Sequence, residues 1–142
     1  MPTRLVSCCL IAALALVPVG CGRTKPEGLA SVCGKVSYKG RSLSSGTIVF
    51  VPDAEHGTNG ALARAEIQPD GSYRLKCGDL AGTVPGWHRV TVTCVEDGGL
   101  APGAILVVPR SVLPPRYQDP QLSGLSCEVK PGQENTINFN LE

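Results

Sequence analysis

An all-β fold, a single antiparallel β-sandwich of about seven strands, is what this chain of 142 residues predicts. Three features point to it. Seventeen Gly and twelve Pro cut the chain into short stretches rich in Val, Ile and Thr, the texture of strands joined by tight turns. Beyond residue 20 no apolar repeat of 3.6 residues is sustained, as a helical domain would require. Strict alternation of apolar and polar residues recurs instead, most clearly over residues 32–38 and 87–95. One Trp, three Tyr and two Phe leave a core that must be mainly aliphatic, though large enough to fold alone.

The first segment is not part of that fold. Arg4 leads into an apolar run over residues 5–19 that stops at Gly20-Cys21-Gly22. A positive start, an apolar stretch of about 7–15 residues and a small cleavage residue make a secretory signal peptide. A spanning helix needs about 20 apolar residues, and here the chain turns polar at once with Arg23, Thr24 and Lys25. Val19-Gly20-Cys21 resembles the lipobox of bacterial lipoproteins, with Pro18 where Leu is usual. Residues 1–20 are therefore expected to be removed and Cys21 to carry lipid. One acyl chain holds a protein to a membrane only marginally; the two or three chains implied by the resemblance would hold it durably. Gly22 stands where Asp would retain such a protein at the inner membrane, which favours the outer one. Secretion as a soluble protein is the alternative.

Cleavage before Cys21 leaves 122 residues, enough for one domain and a short tether. Of thirteen Lys and Arg, Arg4 leaves with the signal, and the remaining twelve meet twelve Asp and Glu. A formal charge of zero gives no electrostatic case for nucleic acid. Cys8 and Cys9 also leave, so Cys33, Cys77, Cys94 and Cys127 remain in an oxidising compartment, where disulfides are expected and three pairings are open.

Residues 21–31, polar with Pro26 and Gly28, read as the lipidated cysteine and a flexible tether, and residues 32–142 as the domain. The first strand, 32–38, puts Val32 and Val36 on one face and Cys33 on the other, and Lys39-Gly40 turns it. The second, 47–51, stops at Pro52-Asp53 before the loop 56–60. Residues 61–67 form a third, joined in a hairpin through Pro69-Asp70-Gly71 to a fourth, 72–77. In the fifth, His88, Val90, Val92 and Cys94 share the core face while Trp87, Arg89, Thr91 and Thr93 face outward. Leu125, Cys127 and Val129 point inward on the sixth, and Ile137, Phe139 and Leu141 on the last. Residues 96–124 are too many for a structureless loop in a compact domain, and 104–108, between Gly103 and Pro109, is the candidate edge strand there.

Taken in order, Val32-x-Gly34-x-Val36, Gly46-Thr47-x-Val49-Phe50, Pro69-Asp70-Gly71-Ser72-Tyr73-x-Leu75 and Pro85-Gly86 before Val90-Thr91-Val92 resemble the carboxypeptidase regulatory-like domain, a transthyretin-like β-sandwich. The tail from Leu113-Pro114-Pro115-Arg116-Tyr117 to Asn135-Thr136 is similar to small bacterial lipoproteins that carry it. The resemblance implies a structural or binding domain with no catalytic residues to carry over. His88 stands where the family commonly has Tyr, and Cys127 where it has an aliphatic core residue. With Cys127 and Cys94 both inward, a Cys94–Cys127 disulfide is the preferred pairing, Cys77 competing for either.

Candidate chemistry is sparse. Asp53, Glu55 and His56 could contact a divalent cation, against the plainer reading of a solvated loop tip. His88 could act as an acid or base only with a positioned partner, and it reads better as a core or rim residue. Glu96 and Asp97 are neighbours that point to opposite faces of a strand. No nucleophile elbow, Cys-x-x-Cys pair, zincin helix or phosphate loop is present, so no enzyme, metal or cofactor is expected. Trp87 with Arg89 is the best candidate for stacking on a sugar or docking a partner, against packing on the Pro-rich 102–120 segment. Ile105 and Val107 offer an edge for strand addition or a covered one. The expectation is a membrane-anchored, non-catalytic sandwich that binds an envelope protein or glycan. The alternatives are an accessory or degenerate metal-assisted hydrolase working through His56 or His88, and a structural spacer. Nothing in the chain fixes its oligomeric state.

Overall fold

The computed structural model describes residues 28–98, 103 and 108–142. The expected signal peptide, Cys21, most of the tether, and Ile105 and Val107 lie outside the described residues. Among the described residues thirteen short strands follow one another: β1 (Val32–Tyr38), β2 (Arg41–Ser42), β3 (Thr47–Pro52), β4 (Ala63–Glu66), β5 (Ser72–Arg74), β6 (Lys76–Cys77), β7 (Leu80–Ala81), β8 (Gly86–Thr93), β9 (Val95–Gly98), β10 (Val108–Ser111), β11 (Ser126–Val129), β12 (Asn135–Thr136) and β13 (Phe139–Leu141). One sheet gathers β12, β2, β5 and β13 around β1, and the other runs β11-β8-β3-β4-β6-β7. The expected seven strands correspond to β1, β3, β4, the divided β5/β6, β8, β11 and the divided β12/β13. The fold is the expected all-β sandwich, and its sheets are antiparallel except where β1 runs parallel to β12 and β13.

The side-chain alternation read from the sequence sets the faces. On β8, His88, Val90 and Val92 are buried, as is Cys94 just beyond it. Ile48 and Phe50 of β3, Val32 and Val36 of β1, and Phe139 and Leu141 of β13 meet them from both sheets. Phe50 is the centre of this core: the rings of Tyr73, His88 and Phe139 lie 6.2, 5.8 and 6.0 Å from it, the last edge-on.

The last strand is divided for a reason that lies in β1. The Ile137 carbonyl turns inward, where it accepts the Tyr73 hydroxyl at 2.6 Å, and Asn138 Oδ1 accepts the Lys35 N–H at 2.8 Å in place of a backbone partner. A Cβ at Gly34 would fall 1.7 Å from that carbonyl oxygen, so only glycine fits between β12 and β13.

Several expectations are corrected. The fold starts earlier than Val32, because Ala30 is buried and pairs with Thr83. The 61–67/72–77 hairpin opens beyond its turn. Gln68 and Ser72 are joined at 2.8 Å, but β5 then pairs with β1 while β6 stays beside β4, and buried Leu75 makes the crossing. The Cys94–Cys127 disulfide does not form. Cys127 stands opposite His88, six residues from Cys94, which is roughly 20 Å of strand where a disulfide tolerates about 7 Å between Cα atoms. Cys77 is separated from β8 by β3 and β4 and reaches neither. Cys33, Cys77, Cys94 and Cys127 are all free thiols. Burial pushes the Cys127 thiol up to about 12, which keeps it protonated and unreactive. The expected edge strand at 104–108 lies almost wholly outside the described residues; after it, β10 pairs with β9 as a separate ribbon.

Candidate binding surface around Trp87

The surface is built where β3 ends. Pro52 stops the strand, and Asp53 caps the 3₁₀ turn Ala54–His56 by accepting the Glu55 N–H at 3.1 Å. The same turn brings His56 back over Asp53, whose Oδ2 accepts from His56 Nδ1 at 2.8 Å and from Arg89 Nε at 3.1 Å. Asp53 is only 6% exposed, so the solvated loop tip expected from sequence is corrected at this one residue, the buried post of the site, while Glu55 and His56 are exposed as expected. The His56 hydrogen bond first, then those from Arg89 and the Glu55 N–H, hold it below the usual carboxylate range against the opposing effect of burial.

The backbone of β8 is tied to the same turn. Trp87 O accepts the Asp53 N–H at 2.9 Å, and the Trp87 N–H donates to Thr58 Oγ1 at 2.7 Å. Gly86 has φ of +125°, and a Cβ there would lie 2.3 Å from that hydroxyl, so the residue before Trp87 must be glycine. With its backbone fixed on both sides, Trp87 presents an indole 39% exposed. Its ring centroid lies 5.4 Å from that of His56, at an interplanar angle of 33°.

Arg89 has a different role from the one expected. Its side chain is 22% exposed, and its guanidinium is held by Asp53, Glu55 and Gln121. It positions the turn and does not offer a free charge. Glu55 and Gln121, both exposed, form a polar rim around the Arg89 guanidinium, two residues along β8 from Trp87. Trp87 and Arg89 are thus brought together as the sequence suggests. The contributions of His56 and Gln121 are missed because each comes from a separate loop. The visible signal for His56 was local: Asp-x-Glu-His-Gly at residues 53–57 is an Asp-capped turn closed by a left-handed glycine, Gly57, at φ of +78°.

The other candidates lie apart. His88 is fully buried; its Nδ1 donates to Gly86 O at 3.0 Å and its Nε2 accepts from the Thr83 hydroxyl at 3.2 Å. Burial lowers its pKa against the Gly86 hydrogen bond, so it is held as the neutral imidazole with no carboxylate partner, a core residue as expected. Among the described residues no group of three or more His, Cys, Asp and Glu is arranged to hold a metal ion. Ile105 and Val107, the expected second part of the binding surface, lie outside the described residues. Among known proteins, no family model, curated protein or solved structure matches the chain.

Proposed function

We propose that this chain is an exported lipoprotein, held to the cell envelope by lipid on Cys21, whose sandwich is a non-catalytic module that binds another envelope component through Trp87. The observation that carries the reading is the preorganised pair of rings: Trp87, 39% exposed, tilted against the His56 ring and fixed by hydrogen bonds at the backbone on either side. A rigid aromatic loses little conformational freedom on binding. Sugar C–H faces and apolar side chains both suit such a surface, and the Glu55 and Gln121 rim supplies partners for hydroxyls. The sugar ring of an envelope glycan is the better fit.

The hydrolase alternative is disfavoured by the same geometry. The two carboxylates nearest His56 converge on the Arg89 guanidinium, which already neutralises them. The signal-like run and Gly20-Cys21 support the anchor. Binding of purified envelope glycans and capture of envelope proteins by the full chain, compared with Trp87→Ala, test the module; a tenfold or greater loss is expected, and undiminished binding to every ligand recovered refutes the proposal. Intact-mass analysis tests the anchor separately. It should show acylation of Cys21, and Cys21→Ala should leave the membrane fraction.

A further inference from the structure

Where the chain crosses from β5 to β6, a cleft of about 1090 Å³ opens, walled by Lys35, Arg64, Glu66, Arg74, Lys76 and Asn138 together with uncharged residues. Four of these side chains are cationic and one is anionic. Arg74 has an exposed partner, Glu134, at 3.5 Å. Asp70 is close enough to Lys35 to be acidified by it, although its carboxylate is engaged mainly by the Ser72 hydroxyl and N–H. Among the described residues Lys35, Arg64 and Lys76 make no ion pair.

Arg64 and Lys76 face each other directly across β4 and β6, and both are exposed. Like charges in that position repel and weaken the pairing. A chain with nearly equal numbers of acids and bases has carboxylates to spare for such a place. An anion between the two side chains would turn the repulsion into attraction.

We propose that this cleft is an anion-binding site for an acidic glycan, a sugar chain bearing carboxylate or sulfate groups. Its volume slightly exceeds the roughly 300–1,000 Å³ of ordinary small-molecule sites. Adjacent strands stand about 4.8 Å apart, which spaces Arg64 and Lys76 by about the length of one sugar unit. Thr47, Gln68, Thr136 and Asn138 on the walls are partners for hydroxyls. The chemistry argues against single-stranded nucleic acid, because Tyr73, the aromatic residue on the wall, is buried and spends its hydroxyl on Ile137 O, so it is not free to stack on a base. The site uses none of the residues around Trp87 and stands or falls separately.

Calorimetric titration of the full chain in detergent, using polygalacturonate oligosaccharides, dextran sulfate, neutral dextran and a DNA duplex, tests it. Saturable binding of at least one acidic polysaccharide is expected, weakening as salt rises, with none for neutral dextran. Arg64→Gln combined with Lys76→Gln should weaken that binding at least tenfold, and Lys76→Glu alone should do so if the pair does not fold. Trp87→Ala should leave it unchanged. The proposal is overturned if neither acidic polysaccharide binds, if neutral dextran or DNA binds as tightly, if the cleft variants bind normally, or if Trp87→Ala abolishes binding.

Discussion

His88 shows how one buried side chain couples this fold to pH. Its neutral imidazole fills a place beside Phe50 and is bonded at both nitrogens, and a second proton would put a charge where burial denies it water. Because its folded pKa is depressed, the unfolded chain takes up the proton first. Stability contributed by His88 is therefore complete above the ordinary histidine pKa of about 6.5 and falls as pH drops below it toward the lower folded value, with a slope of at most about 1.4 kcal/mol per pH unit. Denaturant titrations at pH 7.5 and 5.5 should show this loss, and His88→Gln should remove its histidine component whatever its absolute stability. Asp53 works in the same direction further down the pH scale: its depressed pKa adds stability above the normal carboxylate range that is lost as pH falls through its folded value. The inward position of His88 was legible, since it shares parity with Val90 and Val92. The buried state of Asp53 was not, because an acidic residue after Pro52 looks the same whether its cation partner is solvent or an arginine 36 residues further on.

Strands were legible where one face is covered and alternation is strict, as in β1, β3 and β8. The reading failed where a strand changes sheets or breaks. Residues 72–77 keep a regular pattern through Leu75, so nothing in the pattern marks the change of partner from β1 to β4. The break at residues 137–138 is likewise set by a distant residue, Gly34, and by the Tyr73 hydroxyl. Gly34→Ala should therefore cost about 3 kcal/mol or more, measured by denaturant unfolding, since the strand on that side cannot retreat without losing the Ile137 hydrogen bonds. The crossing at Leu75 also juxtaposes Arg64 and Lys76. Replacing repulsion with attraction by Lys76→Glu should stabilise the ligand-free protein by about 0.2–1 kcal/mol, raising Tm by roughly 1–5 °C in a thermal melt at low salt; a lowered Tm would mean that the two charges do not oppose each other.

Taken together, the described residues form a small sandwich whose core packs aliphatic side chains around a cluster of rings centred on Phe50, while its charged chemistry faces outward. The fold was legible because burial imposes a period on the sequence. The binding surface was legible only in part, for Trp87 and Arg89 are neighbours on one strand face, whereas His56 and Gln121 reach them from loops that sequence spacing does not connect. The free cysteines follow from the same limit: parity placed Cys94 and Cys127 on inward faces, but only the register of β11 against β8 shows how far apart they stand. In the proposed function the tether sets where the module works and Trp87 sets what it holds. The most direct measurement is photo-crosslinking in intact cells from a reactive side chain substituted at Leu122, which is 65% exposed and adjacent to Gln121. A discrete envelope adduct in the membrane fraction, lost in the Trp87→Ala background, is the predicted result; no adduct, or one that forms equally well without the indole, would contradict the proposed role.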